Sequence, residues 1–461
     1  MNRRLWFLLL MMAGSLFTTI SLCYFTDRTL FPAVIGQYAL LFLLYAGMMA
    51  TASQDRIVKL LLVFAVLMRL VLLFSLPGLS DDFYRFLWDG NLWANGINAY
   101  SALPSQMLQE LTAGGEGAFP NRLYPLLNSP EYFSVYPPVN QWIFALSAWL
   151  FPGQLWEPVV VMKGFILLAE CGSIILLLKL ARIFNLPQKQ VLWYALSPLI
   201  IIELMGNLHF EALMIFFSLL MIWLLIKGRT LSAAVALAFA VAVKLLPIFF
   251  LPLLLGTVLI SNTKNPKNWR YKKSVLNLLV FISVLLLIGW TMGGFSPYTA
   301  IWSSIRLYYE SFEFNPGLYL VAKELAYKSG GDRTAATLVM NIALLAGLIM
   351  VYARYLLLLM NDRPKGLRYL PLAMLWVMSF YYFTASTVHP WYLASLLAFC
   401  SLTSLRFPVV WSALIPLTYI AYSTYPYQEN YFLILLEYMI VAGWLTYELA
   451  RPARLSALVR Q

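Results

Sequence analysis

The chain has 461 residues, of which 61% are hydrophobic and only 11% are charged, and its mean hydropathy is +0.75. Because water-soluble chains carry about a quarter charged residues, this composition excludes a soluble globular protein and indicates a polytopic membrane protein. Apolar runs of about 20 residues, the length at which a helix crosses the hydrocarbon core, recur along the sequence, and no polar stretch is long enough for a soluble domain. We therefore predict one all-α integral membrane domain over residues 1–461.

The net charge of +12 comes from lysines and arginines that lie in clusters between the apolar runs. Short loops that carry such clusters stay in the cytoplasm, so the clusters orient the helices. This threading predicts about 14 crossings, with both termini inside. The predicted spans are 5–25, 34–52, 58–77, 158–180, 190–205, 208–226, 230–244, 245–260, 274–293, 335–357, 368–386, 391–405, 407–424 and 431–448.

The first span also fits a secretory signal peptide, since Arg3 and Arg4 precede its apolar residues. Its apolar stretch is long and no Ala-x-Ala cleavage site follows it, which favours an uncleaved helix. The three cysteines, Cys23, Cys171 and Cys400, all lie in apolar runs. They indicate neither a disulfide framework nor a metal site.

Two long polar segments, residues 77–138 and 295–334, fall on the outer face in this threading. The first alternates Trp and Tyr with charged residues, a pattern typical of short helices that lie at the level of the lipid headgroups. The stretch 140–151 is helix-like but too short to span, so we interpret it as re-entrant or interfacial. Most remaining acidic residues lie in the outer segments, so we expect a protein of the cytoplasmic membrane whose active face is periplasmic or extracellular.

Two adjacent carboxylates, Asp81 and Asp82, are the sharpest candidates for chemistry. One of them can face a cavity while the other caps the helix that is predicted to begin at Phe83. Arg85 and Asp89 lie four residues apart, on one face of that helix. They are predicted to form a salt bridge that holds the shape of the loop.

A second polar group lies between two predicted spans and consists of Glu203, Asn207, His209 and Glu211. Polar side chains at membrane depth are costly and indicate a function for at least one of these residues. The alternative is structural, because Asn207 and the preceding glycine can simply form the turn.

Lys244 is flanked by apolar residues and followed closely by Pro247. Such a lysine either snorkels to the outer interface or faces a cavity that contains an anion, and the proline makes a cavity for a lipid phosphate plausible. Arg306 and His389 are further outer-face candidates. A structural role for His389 stays open, because it precedes a proline.

Several motifs occur along the chain in a characteristic order. They are Asp81-Asp-Phe-Tyr-Arg-Phe-Leu-Trp-Asp-Gly, Asn95-Gly-Ile-Asn-Ala-Tyr, Tyr136-Pro-Pro-Val, Leu196-Ser-Pro, Gly206-Asn-Leu-His-Phe-Glu, Lys244-Leu-Leu-Pro, Phe314-Asn-Pro-Gly-Leu-Tyr and Val388-His-Pro-Trp-Tyr. In these motifs the chain resembles the GT-C superfamily of membrane glycosyltransferases, specifically the bacterial mannosyltransferases that use polyprenyl-phosphate-linked sugar. It departs from them at Asn91, where relatives often carry a basic residue, and at Glu211, where they often carry Asp.

The resemblance implies an inverting transfer of a monosaccharide, mannose or another hexose, from a polyprenyl-phosphate donor to a hydroxyl of a glycan or glycolipid acceptor. Asp81 or Asp82 would be the general base. Phosphate leaves without a proton, so a single carboxylate suffices. Lys244, with Arg306 or His209, would stabilise the departing phosphate. The expected substrate-binding residues are Tyr84, Arg85, Asp89, Glu203, Asn207, Glu211 and His389.

Two rival functions and one cofactor stay open at this stage. A glycolipid transporter or flippase would also have many spans and intramembrane charges. A ligase or polymerase of surface polysaccharide would share the reaction class and differ in substrate. No cofactor is required, although carboxylates near a phosphate suit Mg²⁺ or Mn²⁺. The expected partners are the donor, the acceptor and membrane lipids, and no nucleic acid.

Overall fold

The computed structural model describes residues 3–113, 118–260, 270–294, 302–303 and 312–451. Within these ranges the regular structure is helical, and the extended pairing is limited to an isolated parallel bridge between Phe314 and Thr387. The predicted all-helical fold is therefore confirmed. Much of the predicted outer segment 295–334 lies outside the described residues, and so does Arg306.

The helices are numbered in chain order. They are α1 Arg3–Phe25, α2 Phe31–Thr51, α3 Asp55–Val71, α4 Asp82–Ala94, α5 Pro104–Ala113, α6 Ala118–Leu123, α7 Pro138–Leu150, α8 Trp156–Ile183, α9 Leu192–Ala195, α10 Pro198–Ile200, α11 Glu211–Ile226, α12 Thr230–Val243, α13 Leu251–Leu259, α14 Tyr271–Trp290, α15 Gly317–Lys328, α16 Arg333–Asn361, α17 Arg363–Thr384, α18 Ala394–Cys400, α19 Phe407–Leu414 and α20 Tyr431–Leu449. Short 3₁₀-helical segments connect or extend them at Leu72–Phe74, Tyr124–Leu126, Gln188–Val191, Leu246–Phe250, Pro390–Leu393 and Ile415–Ser423, and the segment Ile201–Gly206 is a π-helix.

Seven helices in the described ranges are long and apolar enough to cross a membrane. They are α1, α2, α3 with its extension, α8, α14, α16 and α20. An eighth span results if Pro198–Gly206 and Glu211–Ile226, which meet at a 116° bend, count as one. The predicted count of about 14 is therefore not confirmed, although the membrane class is.

The predicted spans between residues 230 and 260 show why the count differs. The apolar run breaks at Lys244 and Pro247 into two short helices, α12 and the segment Leu246–Leu259. Ten of the fourteen residues of α12 are buried in protein. Composition alone does not distinguish an apolar helix that faces lipid from one that is enclosed by other helices.

The short helix α7 contacts both α4 and the end of α12. It packs closely on α4, because a Cβ atom at Gly90 would clash with the backbone carbonyl of Phe144. At its other end, the Asn140 side-chain amide donates to the carbonyl of Val243 over 2.9 Å. The region predicted as re-entrant or interfacial therefore links α4 to the end of α12.

Lys163 of α8 is a fully buried cation that ties together the segments leading into the polar region. Its ammonium group donates to the carbonyls of Leu72 (3.1 Å), Ser75 (2.7 Å) and Gly206 (2.9 Å), and to the Ser75 hydroxyl (2.7 Å). A second buried cation, Arg69, binds the Glu170 carboxylate at 2.7 Å. Sequence analysis had identified neither of them.

Candidate functional site

The start of α4 carries the two adjacent carboxylates. The helix begins at Asp82 instead of Phe83, and the Asp81 side chain makes no capping hydrogen bond, so the predicted cap is wrong. Arg28 explains the difference, because its guanidinium binds the Asp81 carboxylate in an ion pair. The Asp82 carboxylate accepts a hydrogen bond from the side-chain amide of Asn128 at 2.8 Å.

Arg28 lies in the short connection between α1 and α2, whose shape is fixed locally. The Asp27 carboxylate accepts hydrogen bonds from the backbone N–H and the hydroxyl of Thr29, each at 2.8 Å. The Arg28 guanidinium also lies 4.8 Å from the centroid of the Tyr422 ring, a cation–π geometry. The Arg28 side chain is 23% exposed and that of Asp81 is 36% exposed, so the ion pair is partly accessible to solvent.

Asp82 is partly buried and shares its surroundings with charges from two other helices. Burial raises the pKa of its carboxyl above the ordinary value. The hydrogen bond from Asn128 and the positive charge of Lys244 lower this pKa, whereas the negative charges of Glu211 and Asp81 raise it. The structure therefore brings Asp82, Lys244 and Glu211 into one electrostatic environment.

Lys244 follows Val243, the last residue of α12, and its positive charge acts on Asp82. Its ammonium pairs with the carboxylate of Glu211, the first residue of α11. The ammonium also lies 3.9 Å from the centroid of the Tyr392 ring. The Lys244 side chain is 27% exposed against 5% for Glu211, so the lysine faces an accessible space.

The only two histidines of the chain meet at one indole beside Lys244. The rings of His209 and His389 both stack on Trp391, with centroids 3.8 Å and 4.4 Å away. Burial, aided by the charge of Lys244, lowers the pKa of His389 to about 3. His389 is therefore neutral at ordinary pH.

Glu203 and Asn207 form buried hydrogen bonds that connect the segments next to the site. The buried Glu203 carboxylate accepts from the hydroxyls of Tyr38 (2.6 Å) and Tyr419 (2.8 Å) and from the Asn207 amide (3.1 Å). The Asn207 carbonyl oxygen accepts from the backbone N–H of Leu79 at 3.2 Å. These contacts fix the bend before α11 to the segment that leads into Asp81.

The predicted salt bridge between Arg85 and Asp89 is confirmed, with Nε and Oδ1 separated by 2.8 Å. Arg85 also donates to the carbonyls of Ser129 (3.0 Å) and Tyr132 (2.9 Å), and Asp89 accepts from the Gln141 amide at 2.8 Å. Both members are buried, so the pair holds the loop that follows α4 onto α4 and α7.

The neighbouring Tyr84 is partly buried, and its ring lies 4.0 Å from that of Phe83. The substrate-binding roles of Tyr84, Arg85 and Asp89 stay predictions. Within the described ranges, no cluster of three or more His, Cys, Asp or Glu side chains is arranged to hold a metal ion.

Sequence reasoning missed several residues that the fold brings to this site. Asn128, Tyr392 and Tyr422 contact the charged groups described above, and Arg28 pairs with Asp81. A signal for Arg28 was present, since an arginine in a predicted outer loop runs against the usual placement of basic residues inside. Its carboxylate partner lies 53 residues further along the chain and had no such signal.

Fold and site together define a polytopic helical membrane protein. Its charged site consists of Asp82, Glu211 and Lys244, which lie at the termini of α4, α11 and α12. Residues 15–260 match the family described as "Alpha-(1->6)-mannopyranosyltransferase, N-terminal domain", and the chain belongs to this family. The resemblance to membrane mannosyltransferases of the GT-C type is therefore confirmed.

A curated relative is the alpha-(1->6)-mannopyranosyltransferase A of Mycobacterium tuberculosis, which is 24% identical over 246 residues. The aligned region covers 51% of this chain and 45% of the relative, so the chain spans about half the length of the curated protein that it matches. Asp82, Glu211 and Lys244 lie inside the matched family region, whereas Trp391 and Tyr422 lie beyond it.

Proposed function

We propose that the protein is an inverting mannosyltransferase of the outer membrane face. It transfers mannose, or another hexose, from a polyprenyl-phosphate-linked donor to a hydroxyl of a glycan or glycolipid. The observation that carries the proposal is the placement of Asp82, a partly buried carboxylate, within the electrostatic reach of Lys244. The family match favours this function over a transporter, because its printed description names a transferase.

Asp82 is the better candidate for the general base. Asp81 forms an ion pair with Arg28, whereas the Asp82 carboxylate accepts a hydrogen bond from the neutral amide of Asn128. In the proposed reaction the acceptor oxygen attacks the anomeric carbon from the face opposite the phosphate, and Asp82 takes the hydroxyl proton. The bond between the anomeric carbon and the phosphate oxygen breaks in the same displacement, which inverts the configuration.

Lys244 is the proposed partner of the departing lipid phosphate. Negative charge collects on the phosphate as the bond breaks, and a cation already fixed in a water-poor site stabilises it without reorganisation. Lys244 is held in place by Glu211 and Tyr392, and its side chain remains 27% exposed. His209 stacks on Trp391, the residue before the Tyr392 that contacts Lys244. His209 and Arg306 stay candidates for the same role.

The proposal is tested with Asp82→Asn and Asp81→Asn in the purified full chain. Transfer of radiolabelled mannose from polyprenyl phosphomannose to a synthetic mannoside is measured alongside binding of the donor. We expect Asp82→Asn to lose about 10²- to 10⁴-fold in turnover with donor binding retained, because it removes a general base. Asp81→Asn should keep most of its turnover.

The anomeric configuration of the product, read by NMR, tests inversion. Retained configuration, or turnover of Asp82→Asn above a tenth of the wild-type rate, would contradict the proposal. Release of free lipid phosphate without a glycosylated product would identify hydrolysis instead.

A further inference from the structure

We propose that Arg28 is a positioning residue for the base: by binding and neutralising Asp81, it keeps the adjacent Asp82 ionised in the pH range in which Asp82 accepts a proton. This inference rests on the proposed function, because it assumes that Asp82 is the base. It gives a role to the connection between α1 and α2.

The geometry carries the first step. The Arg28 guanidinium binds the Asp81 carboxylate and lies over the Tyr422 ring at 4.8 Å. It is therefore held from two sides, by an ion pair with the start of α4 and by an aromatic face from the segment Ile415–Ser423. The loop that carries it is fixed by the hydrogen bonds from Thr29 to Asp27.

The second step is electrostatic. Asp81 and Asp82 are adjacent in sequence, and the negative charge of Asp81 raises the pKa of the Asp82 carboxyl. A neighbouring like charge disfavours ionisation, and an opposite charge bound to that neighbour weakens this effect. Without Arg28 the full charge of Asp81 would act on Asp82, and a larger share of Asp82 would be protonated at a given pH.

The other groups that face Asp82 do not replace Arg28. Asn128 contributes a neutral amide, and Tyr422 contributes a phenol whose ring already lies under the guanidinium. From the ends of α11 and α12 come Glu211 and Lys244, which are paired with each other. The like charge of Asp81 is thus balanced directly by Arg28, and Arg85 of α4 is bound to Asp89.

The test is the pH dependence of kcat/KM in three variants of the full chain: Arg28→Met, Asp81→Asn and the double variant. A base must be ionised, so the rate falls as pH falls through the pKa of Asp82. Arg28→Met should move this acidic limb to higher pH, so that the rate at the acidic end falls relative to the rate on the plateau. Asp81→Asn should move the limb to lower pH, and the double variant should return it close to the wild-type position.

Lys323→Met is a matched control, because it removes a cation from another partly buried pair, with Glu313, that does not adjoin Asp82. Its acidic limb should not move. A purely structural role for Arg28 would lower the rate at all pH values without displacing the limb, and this outcome would overturn the inference. If Asp82→Asn itself keeps its turnover, the proposed function fails, whereas an inactive Asp82→Asn with an unmoved limb in Arg28→Met overturns the inference alone.

Discussion

Lys163 shows how a single buried side chain organises the approach to the site. Four hydrogen bonds bring its ammonium to the end of α3 and to the bend that precedes α11. A lysine at membrane depth is costly unless its donors are satisfied, and here oxygen atoms from two segments satisfy them. Those segments continue into Asp81 on one side and into His209 and Glu211 on the other.

We expect Lys163→Met to destabilise the protein strongly. Methionine keeps an apolar stem but removes the donor from the buried carbonyls of Ser75 and Gly206, and each unsatisfied group costs about 1–3 kcal/mol. The measurement is the thermal unfolding midpoint in detergent. Lys179→Met is the control on the same helix, since Lys179 is exposed and only its contact with the Trp223 ring, 5.3 Å from the ammonium, would be lost, at a cost of about 0.5–1 kcal/mol. Equal midpoints for the two variants would contradict this role of Lys163.

The sequence was informative about single residues where the interaction is local. Arg85 and Asp89 are one helical turn apart, so their spacing alone predicted the ion pair that forms. Arg28 and Asp81 are 53 residues apart, and Lys163 lies 88 residues from Ser75. Such partners depend on how the helices pack, which no local pattern encodes.

At the level of elements, α7 sets the relation between the two halves of the proposed site. It touches α4 through the close contact of Gly90 with Phe144, and it holds the end of α12 through the bond from Asn140 to Val243. Asp82 begins α4 and Lys244 follows α12. The spacing of Asp82 and Lys244 therefore depends on a helix that carries neither residue.

We expect Gly90→Ala to lower both stability and transfer. The added methyl group would overlap the carbonyl of Phe144, which is backbone and cannot rotate away, and such overpacking costs about 1–3 kcal/mol. Unfolding midpoint and turnover are measured together. Gly443→Ala is the control, because nothing lies within 4 Å of a Cβ built there. An undisturbed Gly90→Ala would show that α4 and α7 are not closely coupled.

The predicted element boundaries were most accurate for long apolar helices flanked by charged residues. α1, α8 and α20 fall within a few residues of the predicted spans, since continuous apolar runs and flanking charges define them. The short helices α12 and α18 were predicted as full spans because they are equally apolar. They are buried among other helices, and burial cannot be read from composition.

At the level of the whole molecule, the orientation in the membrane remains a prediction from the distribution of charge. It places the connection with Arg28, the start of α4 and the segment before α20 on the outer face, and the connection between α16 and α17 inside. The structure agrees with placing the three outer regions on one side, because Arg28 contacts both Asp81 at the start of α4 and Tyr422 in the segment before α20.

Cysteine labelling tests this orientation. In a background with Cys23, Cys171 and Cys400 replaced by alanine, Tyr425→Cys should react with a membrane-impermeant maleimide in intact cells. Lys365→Cys should react only after permeabilisation. Both positions are exposed, so access to the reagent depends on the side of the membrane. The reverse pattern would invert the topology and move the proposed site to the cytoplasm.

The family match ends at residue 260, but the rings that hold the two cations of the site come later in the chain. Tyr392 lies under Lys244, and Tyr422 lies under Arg28. A hybrid enzyme recombined with a relative near that breakpoint would join native charges to foreign aromatic rings. If these residues bind the donor as proposed, we expect an exchange of donor preference to need both portions transplanted together.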